Sequence, residues 1–154
     1  MKHKLPVDFL DERLNERLAK TGLRFTAQRR HVYGVLLQRK DHPSADEVFL
    51  RAKQKMPDIS LATVYNCLDT LVHCNLVRQV VHERGATRFC SNMREHHHFY
   101  CDECGGTYDI DADVSAGEPQ IEMPSGFSLR HFEIVFQGLC PDCHAQRKKT
   151  GTAS

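Results

Sequence analysis

From Phe9 to Cys74 apolar residues recur at three- and four-residue intervals, and beyond Leu76 they fall into short strand-length runs. The first half of the chain therefore reads as helices followed by a hairpin. Phe9–Lys20 is a helix with Gly22 as its C-cap. Thr26 caps a second helix, in which Val32, Leu36 and Leu37 form the apolar stripe. Ser44-Ala45-Asp46-Glu47 is a capping box that opens a third, with Val48, Phe49 and Ala52 inward and an end before Pro57. Ser60 caps a fourth, in which Leu61, Val64, Leu68 and Leu71 face the core. Thr63, Tyr65, Asn66 and Asp69 fall on its other faces. LVRQVVHE and ATRFC then read as two short strands around an Arg84-Gly85 turn.

Three or four helices with a two-stranded wing make a winged helix-turn-helix, and the helix before the wing is the one that enters a major groove. Its Ser60, Thr63, Tyr65 and Asn66 offer hydroxyls and an amide to phosphates and base edges. For Tyr65 the plainer alternative is a half-buried packing aromatic.

Charge sharpens this picture. Residues 1–90 carry 16 Lys and Arg against 10 Asp and Glu, whereas residues 91–154 carry 5 against 10. The basic front half is the candidate for a polyanion, here double-stranded DNA. At 154 residues and 40% hydrophobic content the chain can hold two small cores. The first residues lack a long apolar segment, and no stretch is long enough to span a membrane, so a cytoplasmic protein is expected.

The back half carries the metal chemistry. Cys101/Cys104 and Cys140/Cys143 form two C-x-x-C pairs in the contexts CDECGG and CPDC, preceded by the run His96–His98. Two such turns supply the four thiolates of a closed tetrahedral zinc site. A redox pair or disulfides would suit one C-x-x-C, but two pairs beside three histidines argue for zinc. Seven cysteines in a reducing compartment leave Cys67, Cys74 and Cys90 outside that site.

GLRFTAQR, HPSADEVF, DISLATVYNCLDTL, HHHFYCDECG and FQGLCPDC, in that order, closely resemble the ferric uptake regulator family, over about residues 14–145. The resemblance implies an α+β chain: an N-terminal winged-helix DNA-binding domain (1–84), a hinge (85–91) and a small C-terminal α/β dimerisation domain (92–154). It implies a homodimer on a roughly palindromic operator, with Arg24 in the minor groove and Tyr65 on the operator. It also implies a structural Zn(2+) on the four paired cysteines and a second, regulatory divalent metal.

For that second metal, the positions matching the family's ligands are His42, Cys90, His96, His98 and Asp109. Cys90 stands where iron- and manganese-type members have a carboxylate. A soft thiolate favours Zn(2+) over Fe(2+) or Mn(2+). The Cys90–His96–His98 spacing resembles that of zinc uptake regulators, but those place an Asp or His where this chain has Arg78. The fourth ligand therefore stays open among His42, Asp109 and His82. The plainer alternatives are a packed strand residue for Cys90 and a helix-entry residue for His42. His96 and His98 share one side of a strand by its period of two. A third family site would draw on Glu95 and His97, but its later position is Phe132. His131 falls one step out, on the opposite strand face. SAGEPQIEMPSG, with its prolines and glycines, implies a short or broken dimerisation helix.

The function implied is a metal-dependent transcriptional regulator, a repressor of metal-uptake genes that responds to zinc. Metal would select a dimer arrangement that fits the operator, so that metal and DNA binding are reciprocally coupled. A peroxide-responsive or iron/manganese-responsive member is the alternative within the family, with thiolate oxidation at Cys90 as a conceivable trigger. A zinc enzyme built on Cys90, His96 and His98 is the remote rival. It lacks a well-placed general base, and the chain is expected to be no enzyme.

Overall fold

The structure, a computed structural model, describes residues 7–82, 85–111, 122–130 and 132–151. The chain divides into two compact units, residues 1–93 and 94–154.

The first unit contains α1 (Val7–Lys20), α2 (Ala27–Gln38), α3 (Ala45–Lys53), α4 (Leu61–His73), β1 (Arg78–Val80) and β2 (Arg88–Cys90). Local chemistry sets the helix ends. Gly22, at φ +70, turns the chain out of α1, a conformation that costs glycine nothing. The Thr26 side chain accepts from the Arg29 amide at 3.2 Å. Ser44 and Glu47 complete the capping box, with the Glu47 amide donating to Ser44 Oγ at 3.3 Å and the Ser44 amide to Glu47 Oε2 at 2.8 Å. Ser60 Oγ accepts from the Thr63 amide at 3.1 Å. Each such cap is worth about 1 kcal/mol.

The helices close over one core in which Leu14, Leu18, Val32, Leu36, Val48 and Leu68 are fully buried. Burying each of these side chains contributes about 1.5–3 kcal/mol. The stripe expected on α4 holds at Val64, Leu68 and Leu71 but not at Leu61, which is 37% exposed. Leu61 is the first residue of α4, and burial begins one turn later. β1 and β2 pair antiparallel with Arg78 opposite Cys90 and Val80 opposite Arg88. Phe89 points from β2 into the helical core. The expected Arg84-Gly85 turn lies partly outside the described residues.

The second unit is a three-stranded sheet in the order β4-β3-β5, built from β3 (His96–Cys101), β4 (Thr107–Asp111) and β5 (Val135–Gly138), followed by α5 (Pro141–Thr150). β3 runs antiparallel to β4 and parallel to β5, so His98 lies opposite both Asp109 and Val135. Gly105, at φ +69, makes the turn between β3 and β4, tied by Gly105 N–H to the Cys101 carbonyl at 3.0 Å. α5 starts with Pro141 in its first turn and ends at Gly151 in the left-handed conformation. The SAGEPQIEMPSG segment lies mostly outside the described residues. Among the described residues no helix is long and apolar enough to cross a membrane.

Candidate metal centres

The knuckle after β3 and the first turn of α5 bring four thiols together. The sulfurs of Cys101, Cys104, Cys140 and Cys143 all lie within 4.8 Å of one another. Cys101, Cys140 and Cys143 are buried and Cys104 is exposed. The Cys140 amide donates to Cys101 Sγ at 3.3 Å, and the Cys104 and Cys140 sulfurs are 3.9 Å apart.

Burial would raise the Cys101 thiol, but backbone N–H groups of Cys104, Cys140 and Glu103 outweigh it and hold it near 6. The backbone N–H of Cys143 lowers Cys140, with help from the Tyr108 hydroxyl. Cys143, hydrogen-bonded to Cys140 and buried, is pushed up to about 12. Thiols that share protons this unequally hold thiolate at neutral pH, and thiolate is the form that binds a metal. The donor set fits zinc.

A second cluster lies within the sheet. The antiparallel register puts Asp109 across from His98, and period two puts His96 beside it on the same face. His96 and His98 are 5% and 1% exposed. Their Nε2 atoms approach to 3.0 Å, and Asp109 Oδ1 is 3.2 Å from the first and 3.6 Å from the second. The far side of each ring fixes the tautomer. His96 Nδ1 is 2.7 Å from the Arg94 carbonyl, and His98 Nδ1 is 2.6 Å from Glu133 Oε1. Both partners are acceptors, so each Nδ1 carries a hydrogen, and in the neutral ring this leaves Nε2 as the acceptor or ligand atom. Two ring nitrogens and a carboxylate oxygen converging in one buried spot are a donor set that a metal cation could use.

In the first unit, His42 precedes α3 with φ +50 and is 3% exposed. Arg88 Nη1 donates to its carbonyl at 3.0 Å and meets Glu47 Oε2 at 3.3 Å. Cys90, at the end of β2, is 3% exposed. A ring nitrogen of His42 and Cys90 Sγ lie within 4.8 Å of each other. Imidazole with thiolate suits zinc better than Fe(2+) or Mn(2+). His82 is half-buried beyond β1, and Arg78 Nη2 donates to the Met93 carbonyl at 3.4 Å.

Among the described residues, those named for a third site are not in either cluster. Glu95 is exposed, while the buried His97 ring packs 6.5 Å from Phe132 and 6.3 Å from Phe136. His131 lies outside the described residues. Sequence reasoning missed Glu133, whose role depends on a strand pairing that no local pattern encodes.

On α4, Ser60, Tyr65 and Asn66 are exposed and Thr63 is half-exposed. Ser60 and Thr63 hydroxyls bond each other at 2.8 Å beside the helix start. Tyr65 is 47% exposed, so about half of its surface is open to solvent. It lines a cleft of about 320 Å³ with Asp69, Gln79 and Thr87. Arg24 is exposed ahead of α2, and its carbonyl accepts from Arg29 Nη1.

Residues 20–137 match the ferric uptake regulator family. The chain is 29% identical over 141 residues to a peroxide-responsive repressor of Staphylococcus epidermidis, covering 89% of this chain and 94% of the relative. It is 32% identical over 143 residues to the ferric uptake regulation protein of Bacillus subtilis, covering 88% and 95%. Its fold matches that of the Helicobacter pylori ferric uptake regulator, for which three functional metal-binding sites are described. The TM-score is 0.71 at 23% identity, over 94% of this chain and 97% of that one.

Proposed function

Since the chain belongs to the ferric uptake regulator family, whose members are metal-responsive transcriptional regulators, we propose that it is a dimeric, zinc-responsive repressor of metal-uptake genes. The observation that carries this reading is the convergence of His96 Nε2, His98 Nε2 and Asp109 Oδ1 in one buried spot. With His42 and Cys90 these residues form the proposed regulatory ligand set, and the four paired cysteines form the structural zinc site. Cys90 is the reason for favouring zinc. A thiolate among imidazoles suits a borderline-soft ion, whereas Fe(2+) and Mn(2+) favour harder oxygen donors.

The chain's residues do three things in this reading. The cysteine cluster holds the second unit together. The histidine pair, backed at each Nδ1, offers fixed ligands whose rings need no reorientation on binding. The exposed face of α4, with Arg24, meets a roughly palindromic operator as one of two copies. An ion that prefers the DNA-competent dimer must be bound more tightly when operator is present, because the coupling is reciprocal.

The similarity to a peroxide-responsive repressor supports a second reading, in which an oxidant or iron rather than zinc sets the response. The test is operator affinity measured against free zinc, iron and manganese, with and without peroxide. Zinc-dependent binding that peroxide leaves intact is the expected result. Binding driven only by iron or manganese, or abolished by mild peroxide, would replace it with the second reading.

A further inference from the structure

His98 is one of the most buried side chains of the protein, and the partner that orients its ring comes from 35 residues away. The parallel pairing of β3 with β5 sets His98 opposite Val135, and the His98 amide reaches the Ile134 carbonyl at 3.4 Å. Glu133, just before β5, is thereby carried alongside the ring. Its Oε1 stands 2.6 Å from His98 Nδ1, while its side chain as a whole is 44% exposed. His96 has a different backing, the neutral carbonyl of Arg94 only two residues earlier.

We infer that Glu133 is a positioning residue for the regulatory metal, holding the hydrogen of His98 on Nδ1 so that Nε2 can offer its lone pair as the ligand. This rests on the metal-sensor reading given above.

The alternative tautomer shows why a backing group is needed. A hydrogen on His98 Nε2 would point at His96 Nε2, 3.0 Å away, or at Asp109 Oδ1, 3.6 Å away. The cluster would then satisfy itself internally, and a metal would have to break that bond before binding. With the hydrogen on Nδ1 and donated to a carboxylate, a neutral His98 cannot donate that bond from Nε2. The ring also becomes a stronger base at Nε2. Groups that back metal-bound histidines in this way typically account for 10–100-fold of metal affinity. Glu133 touches no expected ligand atom with its own oxygens, so it acts through His98.

Two measurements on the full-length dimer test this. The first is the nitrogen-15 tautomer signature of His98 in protein whose second site has been stripped while the cysteine zinc is retained. Wild type should show Nδ1–H. Glu133→Ala should show substantial Nε2–H, and Glu133→Gln, which keeps an acceptor oxygen without the charge, should lie between. The second is zinc affinity of the second site, expected to fall about 10–100-fold in Glu133→Ala and less in Glu133→Gln. One zinc per chain should remain on the cysteines in every variant. An unchanged tautomer in Glu133→Ala would overturn the inference, as would a changed tautomer with unchanged affinity. If wild type takes up no second metal at all, the sensor reading fails, and the tautomer measurement still decides whether Glu133 orients the ring.

Discussion

Arg88 donates to the main-chain carbonyl of His42, so the strand that ends in Cys90 directly holds the residue that precedes α3. The same guanidinium meets Glu47, whose carboxylate also caps α3 through the Ser44 amide. His42 sits at φ +50, a region that costs a non-glycine residue about 1–2 kcal/mol. The Arg88 bond is one of the contacts that keeps it there. Arg88→Met should therefore lower stability by about 1 kcal/mol, read as a shift in thermal midpoint. It should also weaken binding at the regulatory site several-fold without touching the cysteine zinc. Equal second-site affinity in wild type and variant would show that His42 needs no such restraint.

Asp41 adds a second restraint on the same loop through Arg51, with contacts of 2.9 and 2.7 Å. The Arg51 hydrogen bonds hold its carboxyl below the ordinary carboxylate value. A depressed acid stabilises the fold above the unfolded value, near pH 4, and that contribution is lost as pH falls through the folded value. The stability gap between wild type and Asp41→Asn should thus shrink below pH 4. The gap will be small, because the pair is partly exposed. A gap that widens on acidification would reverse the sign of this account.

Cys101→Ser should remove the cysteine-bound zinc and loosen the second unit. Zinc in small structural sites contributes about 10–16 kcal/mol of apparent binding energy, and the buried apolar cluster around these thiols is small. Zinc stoichiometry and sedimentation of the variant check this. A variant that keeps its zinc and its dimer would remove the structural-site assignment.

Cys90 separates zinc from its competitors. Cys90→Ser should keep the cysteine zinc but weaken zinc-dependent operator binding strongly, since a neutral hydroxyl is a poor ligand. Cys90→Asp should move preference toward iron and manganese while folding stays intact. Operator affinity against free metal is the measurement. Identical curves for wild type and both variants would leave Cys90 as a packed strand residue and the metal preference open.

On the DNA side, Arg24→Ala should weaken operator binding and reduce the salt slope by about 1. Tyr65→Ala should in addition blur the preference for operator over random sequence. Unchanged affinity in both would move the recognition surface elsewhere.

What could be read from the chain beforehand was whatever is decided within a few residues. The caps at Thr26, Ser44 and Ser60 each involve groups three positions apart, and their sequence signature is the hydrogen bond itself. The winged-helix core followed the helical repeat, apart from Leu61, because periodicity says which face a residue takes but not where packing begins. The helix α5 was missed because it buries only Cys143, so it has no stripe to detect. Glu133 could not be found at all. Its contact with His98 exists only through the parallel pairing of β3 and β5, a register set by the folded sheet.

Of the four clustered thiols, Cys104 alone meets solvent. Its exposure gives the cysteine site a door. With zinc on the four sulfurs, as proposed, an incoming ligand would displace Cys104 first while the three buried sulfurs keep their grip. How tightly an ion is held there belongs to all four sulfurs together. In the proposed zinc site, release through Cys104 would then set how long the ion stays, and lifetime could change without a matching change in affinity.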